Sequence, residues 1–209
     1  MKTALIFDTE TTGAAVKKDP TDPTGSKLCQ IWAGLYEYDE TQPYIADANT
    51  THPILTAEPL AVLNTLVVPS EPPHPKAEEV HGFSMERLTK LGVQADSAAY
   101  MFIDLLERAD VLVAHNLRFD SGIMRHHIDS VGLDFAVVDR DGLEHFCTME
   151  KLLPVMKLTP KMYGNWKRPS LKESYRYLFQ RDFENAHDAG ADANACASIY
   201  FACKFLELK

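Results

Sequence analysis

The sequence has no Cys-x-x-Cys pair: its four cysteines, Cys29, Cys147, Cys196 and Cys203, stand well apart. That spacing argues against a zinc knuckle or a dithiol redox motif. It suits a reducing compartment, so a cytoplasmic protein is expected. Long apolar runs are missing as well. No stretch is long enough to span a bilayer, and no signal-peptide pattern stands before the first apolar run, so no membrane partner is expected. Internal repeats and dividing linkers are absent. The 209 residues therefore read as one domain, residues 1–209, and 45% hydrophobic composition is enough for a core that needs no disulfide.

Positive charge is also scarce. The net charge is -9, which argues against strong non-specific binding to nucleic acid, since such binding rests on Lys and Arg neutralising phosphates. The distribution says more than the total. Residues 157–181 hold Lys157, Lys161, Lys167, Arg168, Lys172, Arg176 and Arg181 against the single acid Glu173. A polyanion could be met on that side of the molecule only. Tyr163, Trp166, Tyr175, Tyr177 and Phe179 lie among these cations. Such interleaving suits a single-strand track. Tyr175 and Phe179, four apart, fit inward packing better, and Trp166-Lys167-Arg168 fits either solvated surface or strand contact.

What is present is organised around Phe7-Asp8-Thr9-Glu10-Thr11-Thr12-Gly13. The preceding Ala4-Leu5-Ile6-Phe7 reads as a buried strand. Strand side chains alternate between faces, so Leu5 and Phe7 take one face and Ala4, Ile6, Asp8 and Glu10 the other. Two carboxylates thus continue an apolar face. Placing like charges together away from water is costly, and a divalent cation with its preference for oxygen ligands resolves it.

Two further elements repeat the pattern. The apolar run Val111–Ala114 reads as a strand buried on both faces, followed directly by a helix over 117–131. Asp120 opens that helix's apolar stripe of Ile123, Met124, Ile128 and Val131. The last helix, about 188–206, has a stripe of Cys196, Ile199, Cys203 and Leu206, with Asp192 four residues before it. An acid near a helix N-terminus is favourable without any metal. Three elements that each aim an acid inward point instead to a shared metal site. His187 stands five residues before Asp192, where an imidazole could take a proton, although a capping or surface histidine has the same look.

Between these motifs, residues 14–27 are rich in breakers and read as a flexible loop. Strands are expected over 28–38 and near 64–68, with no assignable element over 39–63. Ser84 is expected to cap a helix through Leu91 that Gly92 closes, and Asp96 to cap a helix over about 97–109. A strand near 145–147, a short helix over 148–153 and a loop over 154–169 follow. Ser170 and Glu173 have capping-box spacing for a helix to about Phe179.

Taken together, Phe-Asp-Thr-Glu-Thr-Thr-Gly (7–13), His-Asn-Leu-Arg-Phe-Asp (115–120) and His-Asp-Ala-Gly-Ala-Asp (187–192) resemble the three exonuclease motifs of the DnaQ-like, DEDDh-type 3′–5′ exonucleases. His-Gly-Phe-Ser (81–84) resembles a further family segment. The resemblance spans about residues 3–206, and the loop at 14–27 is its main departure. It implies a ribonuclease H-like α/β fold, a mixed five-stranded sheet of three antiparallel strands followed by two parallel ones, flanked by helices. It further implies two Mg²⁺ or Mn²⁺ ions held by Asp8, Glu10, Asp120 and Asp192, with His187 as general base. Thr11, His81 and Asn116 fall where the family lines its substrate pocket. The implied activity is release of nucleoside 5′-monophosphates from 3′ ends of single-stranded DNA. RNA is the alternative substrate, an inactive binding module a more distant reading, and a separate polymerase a candidate partner.

Overall fold

The computed structural model describes residues 1–13, 25–41, 45–46, 54–55, 57–160, 165–184 and 188–205. Most of the expected loop at 14–27 lies outside the described residues, as do Tyr163, His187 and Leu206. Seven strands and seven α-helices are described. The strands are β1 (Lys2–Thr11), β2 (Leu28–Tyr38), β3 (Ile45–Ala46), β4 (Ile54–Leu55), β5 (Ala61–Leu66), β6 (Val111–Ala114) and β7 (Glu144–Cys147). The helices are α1 (Pro75–His81), α2 (Met85–Leu91), α3 (Ala95–Leu106), α4 (Leu117–Ser130), α5 (Thr148–Met156), α6 (Leu171–Phe179) and α7 (Ala189–Phe205).

Five strands form one sheet in the order β5-β2-β1-β6-β7. β1, β2 and β5 are antiparallel neighbours, while β6 runs parallel to β1 and β7 parallel to β6. This is the ribonuclease H-like sheet expected from the motifs. The three parallel strands end on the same edge, where ligands of α/β sheets gather.

The predicted alternation along β1 holds. Leu5 and Phe7 join a core with α3 and α4 residues such as Phe102, Ile123 and Met124. Ala4 and Ile6 join a separate core with residues of α6 and α7, among them Phe179, Cys196, Ile199 and Tyr200. All four residues of β6 are buried, as its unbroken apolar run requires. α7 departs from expectation. Cys196, Ile199 and Cys203 are buried as predicted, but so are Ala195, Ala197, Phe201 and Ala202. The helix is buried nearly all round because α6 packs on the side away from the sheet, which its composition of Ala, Cys and aromatics permits. Its Tyr200 hydroxyl meets that of Tyr38 at 2.7 Å, so neither buried phenol lacks a partner.

Several element ends differ from the sequence reading. β5 begins at Ala61, earlier than expected, and β3 pairs with β4 inside the stretch left unassigned. The strand signal there is too short to rise above the turn residues around it. α5 continues to Met156 with Pro154 inside it. Ser84 does cap α2, accepting from Arg87 N at 3.2 Å, but Gly92 closes it with an extended backbone, φ -78°. Space rather than handedness selects glycine there, since a Cβ would lie 2.6 Å from the Leu88 carbonyl oxygen. Gln94, not Asp96, is the N-cap of α3; Asp96 lies in the first turn and accepts from Ser97 N at 2.7 Å. The capping box of α6 is present as predicted.

Around the end of β1 the backbone is tied down. Thr12 N–H donates to the Lys27 carbonyl at 2.8 Å, Lys27 N–H returns a bond to Thr12 Oγ1 at 2.9 Å, and Ser26 Oγ donates to the Gly13 carbonyl at 2.8 Å. His74 N–H donates to the Thr12 carbonyl at 2.7 Å. Gly13 adopts φ +92° against α1, where a Cβ would come within 2.6 Å of Ala77 Cβ. Left-handed backbone and close approach both call for glycine.

Candidate active site

Asp8 and Glu10 occupy alternate positions near the end of β1, on the face covered by α7. Asp192 enters from the first turn of α7. One carboxylate oxygen from each of the three lies within 4.8 Å of the others. Asp120, buried in the first turn of α4, comes from the opposite side of the sheet. It is held there by Thr9, whose hydroxyl donates to Asp120 Oδ1 at 2.8 Å. Thr9 points to the opposite face from Asp8, so the same strand supplies two acids and the anchor of a third.

The electrostatics describe a strongly anionic site. Burial, then the charges of Asp120, Asp192, Glu10 and Asp188, pushes the Asp8 carboxyl far above the usual carboxylate range. Glu10 rises to about 8, through burial and then Asp192, Asp120 and Asp188. Asp120 rises to about 7 by burial, although the Thr9 hydrogen bond works the other way. Among the described residues, none of the causes of these shifts is a basic side chain. The donor set is all oxygen, clustered and partly desolvated, which fits a hard divalent cation.

Asp192 is placed by a small set of groups. Asp188 Oδ1 accepts from the N–H groups of Gly190 and Ala191 at 3.0 and 3.1 Å, capping the helix. Gly190 lies against the Trp32 indole, where a Cβ would come within 3.1 Å of the ring. Trp32 pairs with Asp8, and Gln30 with Glu10, in the β1–β2 register, so both point to the same face as the acids. Sequence reasoning missed Thr9, Gln30, Trp32 and Asp188. The alternation that placed Asp8 and Glu10 also puts Thr9 on the α4 side, a signal that was available. Gln30 and Trp32 needed the strand register.

The remaining expected residues take defined places. Thr11 is buried and its Oγ1 accepts from Gly13 N–H at 3.3 Å. His81 Nδ1 accepts from Phe83 N–H at 3.1 Å, so Nε2 donates to the Thr11 carbonyl at 3.1 Å. Both ring nitrogens are thereby engaged, and the ring stacks on Phe83 with centroids 4.9 Å apart. His81 thus fixes the end of the first motif. Asn116 turns the chain from β6 into α4 with a left-handed backbone, φ 75°, which asparagine tolerates better than most residues. Beside it, buried His115 pairs through Nδ1 with the Thr148 hydroxyl at 2.8 Å and through Nε2 with the Pro169 carbonyl at 3.1 Å.

A five-stranded ribonuclease H-like sheet with acids from β1, α4 and α7 gathered at one edge defines the class. The exonuclease family model, of the ribonuclease T type, matches residues 5–200, and the chain belongs to that family. Among solved structures it is similar to Escherichia coli exonuclease I in a zinc-bound complex with single-stranded DNA, at 20% identity and TM-score 0.71. That alignment covers 99% of this chain and 41% of the other. The same enzyme with a dT13 oligonucleotide gives 18% identity, TM-score 0.72 and coverage of 98% and 41%. Exonuclease I of Methylocaldum szegediense gives 19%, 0.71, and 100% and 42%. The chain thus spans about two-fifths of the length of these structures. None of the curated proteins matches by sequence.

Proposed function

We propose that this chain is a metal-dependent 3′–5′ exonuclease domain, spanning residues 1–209, that hydrolyses phosphodiester bonds of single-stranded DNA to nucleoside 5′-monophosphates. The observation that carries the reading is the convergence of Asp8, Glu10 and Asp192 within ligand-sharing distance, with Asp120 alongside on Thr9. DNA is favoured over RNA because the similar solved structures include exonuclease I bound to single-stranded DNA.

Asp8, Glu10, Asp120 and Asp192 are the residues that would hold two Mg²⁺ or Mn²⁺ ions. When bound, such ions supply the positive charge that lets a phosphodiester enter an anionic pocket and that promotes ionisation of the attacking water. The protein's own part is to keep the acids in register. Thr9 orients Asp120 and lowers its proton affinity. Asp188 and Gln30 fix the first turn of α7 and so the position of Asp192. The bonds of His81 and Gly13 hold Thr11 where β1 ends, beside the expected terminal nucleotide. In this reading His187 accepts the proton of the attacking water as general base.

The test is incubation of purified protein with 5′-labelled single-stranded DNA and RNA of matched sequence, with Mg²⁺ or with EDTA. A DNA ladder shortening from the 3′ end only in Mg²⁺ is expected. Preferential shortening of RNA would reassign the substrate, and no metal-dependent shortening of either would reject the reading.

A further inference from the structure

Two concavities adjoin at Asn116, on the edge where β6 and β7 end. One, about 470 Å³, is bordered by Lys167, Arg168, Lys172 and Arg176 over a floor of His115 and Asn116. The other, about 390 Å³, runs from Asn116 past Arg118 and Arg125 to His145 and Cys147. β6 is the direct neighbour of β1, and Asn116 precedes Asp120 by one turn of α4. The two concavities share Asn116 and so make one groove, whose lining comes within one helical turn of Asp120 along the chain.

Nearly every cation of this groove is already held by a carboxylate. Arg168 meets Glu150 at 3.3 Å, across the boundary between the two concavities. Arg176 makes a two-pronged contact with Asp182 at 2.8 and 2.6 Å, and Lys172 meets the same acid at 3.8 Å. Lys167 pairs with Glu173, and Arg125 with Asp139 at 2.9 Å. Arg118 has no ion pair among the described residues. Part of the cationic stretch is thus answered by acids just outside it, Glu150 for Arg168 and Asp182 for Lys172 and Arg176. The partners are substantially exposed, and exposed pairs of this kind add little to stability. They hold the cations forward while remaining easy to exchange. A phosphate matches the two-pronged guanidinium geometry as well as a carboxylate does.

We propose that the groove carries the single strand on the 5′ side of the cleaved nucleotide, and that Glu150 and Asp182 are stand-ins for its phosphates, displaced when the strand binds. This rests on the exonuclease reading for the strand's direction, but not for its binding. The exchange weakens non-specific capture of polyanions and keeps the cations extended until a strand that fits the groove replaces both acids together.

The experiment measures binding of a long oligothymidylate to the full chain in EDTA over a salt series, by fluorescence anisotropy. Glu150→Gln and Asp182→Asn are each expected to bind several-fold tighter than wild type. Each cation that gains a phosphate should steepen the log–log salt slope by about 0.7. Asp104→Asn, which removes the same charge from an exposed site on α3, is the control and should leave affinity and slope at wild-type values. Arg168→Ala with Arg176→Ala should weaken binding. Glu173 is avoided because its carboxylate also accepts from Ser170 N–H in the helix cap. If Glu150→Gln and Asp182→Asn behave like Asp104→Asn, the pairs are ordinary surface bridges and the exchange is rejected, whatever the arginine variants do. Hydrolysis of a dinucleotide in Mg²⁺, too short to reach the groove, should match wild type in Glu150→Gln. If wild type cleaves nothing, the exonuclease reading fails while the binding series still decides the groove.

Discussion

The side-chain carbonyl of Gln30 accepts the backbone N–H of Ala189 at 3.3 Å. Gln30 sits opposite Glu10 in the β1–β2 ladder, and Ala189 begins the helix that carries Asp192. One buried amide therefore joins the strand beside one acid to the helix that delivers another. Its Nε2 is directed to Asn64 Oδ1 at 3.4 Å, on the next strand out. Replacing Gln30 with Leu leaves the Ala189 N–H buried without that partner, at a cost of about 1–3 kcal/mol. The expected result is a lower melting temperature, together with a higher Mg²⁺ requirement for cleavage. Gln30→Glu, which keeps an acceptor there, should restore the melting temperature at low pH only.

Asp8→Ala should abolish cleavage while leaving the fold intact. In the metal-free protein it should also leave the melting temperature unchanged or raised. Asp8, Glu10 and Asp120 all have carboxyl groups raised above their unfolded values. The stability they contribute is present below the unfolded values, near 4, and is lost as pH rises through about 7 and 8. In EDTA, wild type should therefore lose melting temperature between pH 6 and pH 9 more steeply than Asp8→Ala, as followed by circular dichroism. Mg²⁺ should remove much of that difference by neutralising the cluster. Retained Mg²⁺-dependent cleavage by Asp8→Ala would falsify the site assignment.

Thr9→Val keeps the shape of the side chain and deletes the bond to Asp120. The Asp120 carboxyl then loses the contact that lowers its proton affinity. Residues that orient a ligand typically account for about 10–100-fold in metal affinity. The metal concentration for half-maximal activity at neutral pH should rise by about tenfold or more, with activity at saturating metal largely recovered. An unchanged metal titration would limit Thr9 to a packing role.

His187→Ala should lose about 10²–10⁴-fold in turnover, as expected for a general base. Metal binding should survive, because the four carboxylates remain. Isothermal titration with Mn²⁺ separates this case from that of Asp8→Ala. Near-normal turnover, or metal loss as severe as in Asp8→Ala, would count against the assigned role.

His115 should set the acid limit of stability. Burial lowers its pKa to about 4, against the Pro169 hydrogen bond, which works to raise it. The unfolded chain takes up the proton first, so folding weakens as pH falls from about 6.5 towards 4, by at most about 1.4 kcal/mol per pH unit from this group. Nδ1 accepts from Thr148, and protonation would reverse that bond. His115→Gln should be less stable than wild type at pH 7 but should lose less on acidification. Parallel melting curves for the two proteins would show that another group sets the limit.

The parts of the site that could be read from the sequence are those governed by local periodicity. Asp8 and Glu10 follow from the two-residue repeat of a strand, and Asp120 and Asp192 from the turn of a helix. The capping box at Ser170 and Glu173 is equally local and equally legible. Gln30 and Trp32 were not, because their meaning depends on a register that pairs them with Glu10 and Asp8. The near-complete burial of α7 depends on α6 covering its outer side, a tertiary fact with no signature in a helix so rich in alanine. The basic character of 157–181 was legible, but not that Glu150 and Asp182 answer three of its cations from either side.

The hydrogen bonds that join Thr12 to Lys27 and Gly13 to Ser26 act as a drawstring on the chain between them. Because Thr12, Gly13, Ser26 and Lys27 are tied to one another, the end of β1 that carries Asp8 and Glu10 is fixed by contacts of its own. Doubling the length of a closed loop costs only about 0.6 kcal/mol. Sequence spliced in between Gly13 and Gly25 is thus expected to leave the arrangement of Asp8 and Glu10 as it is.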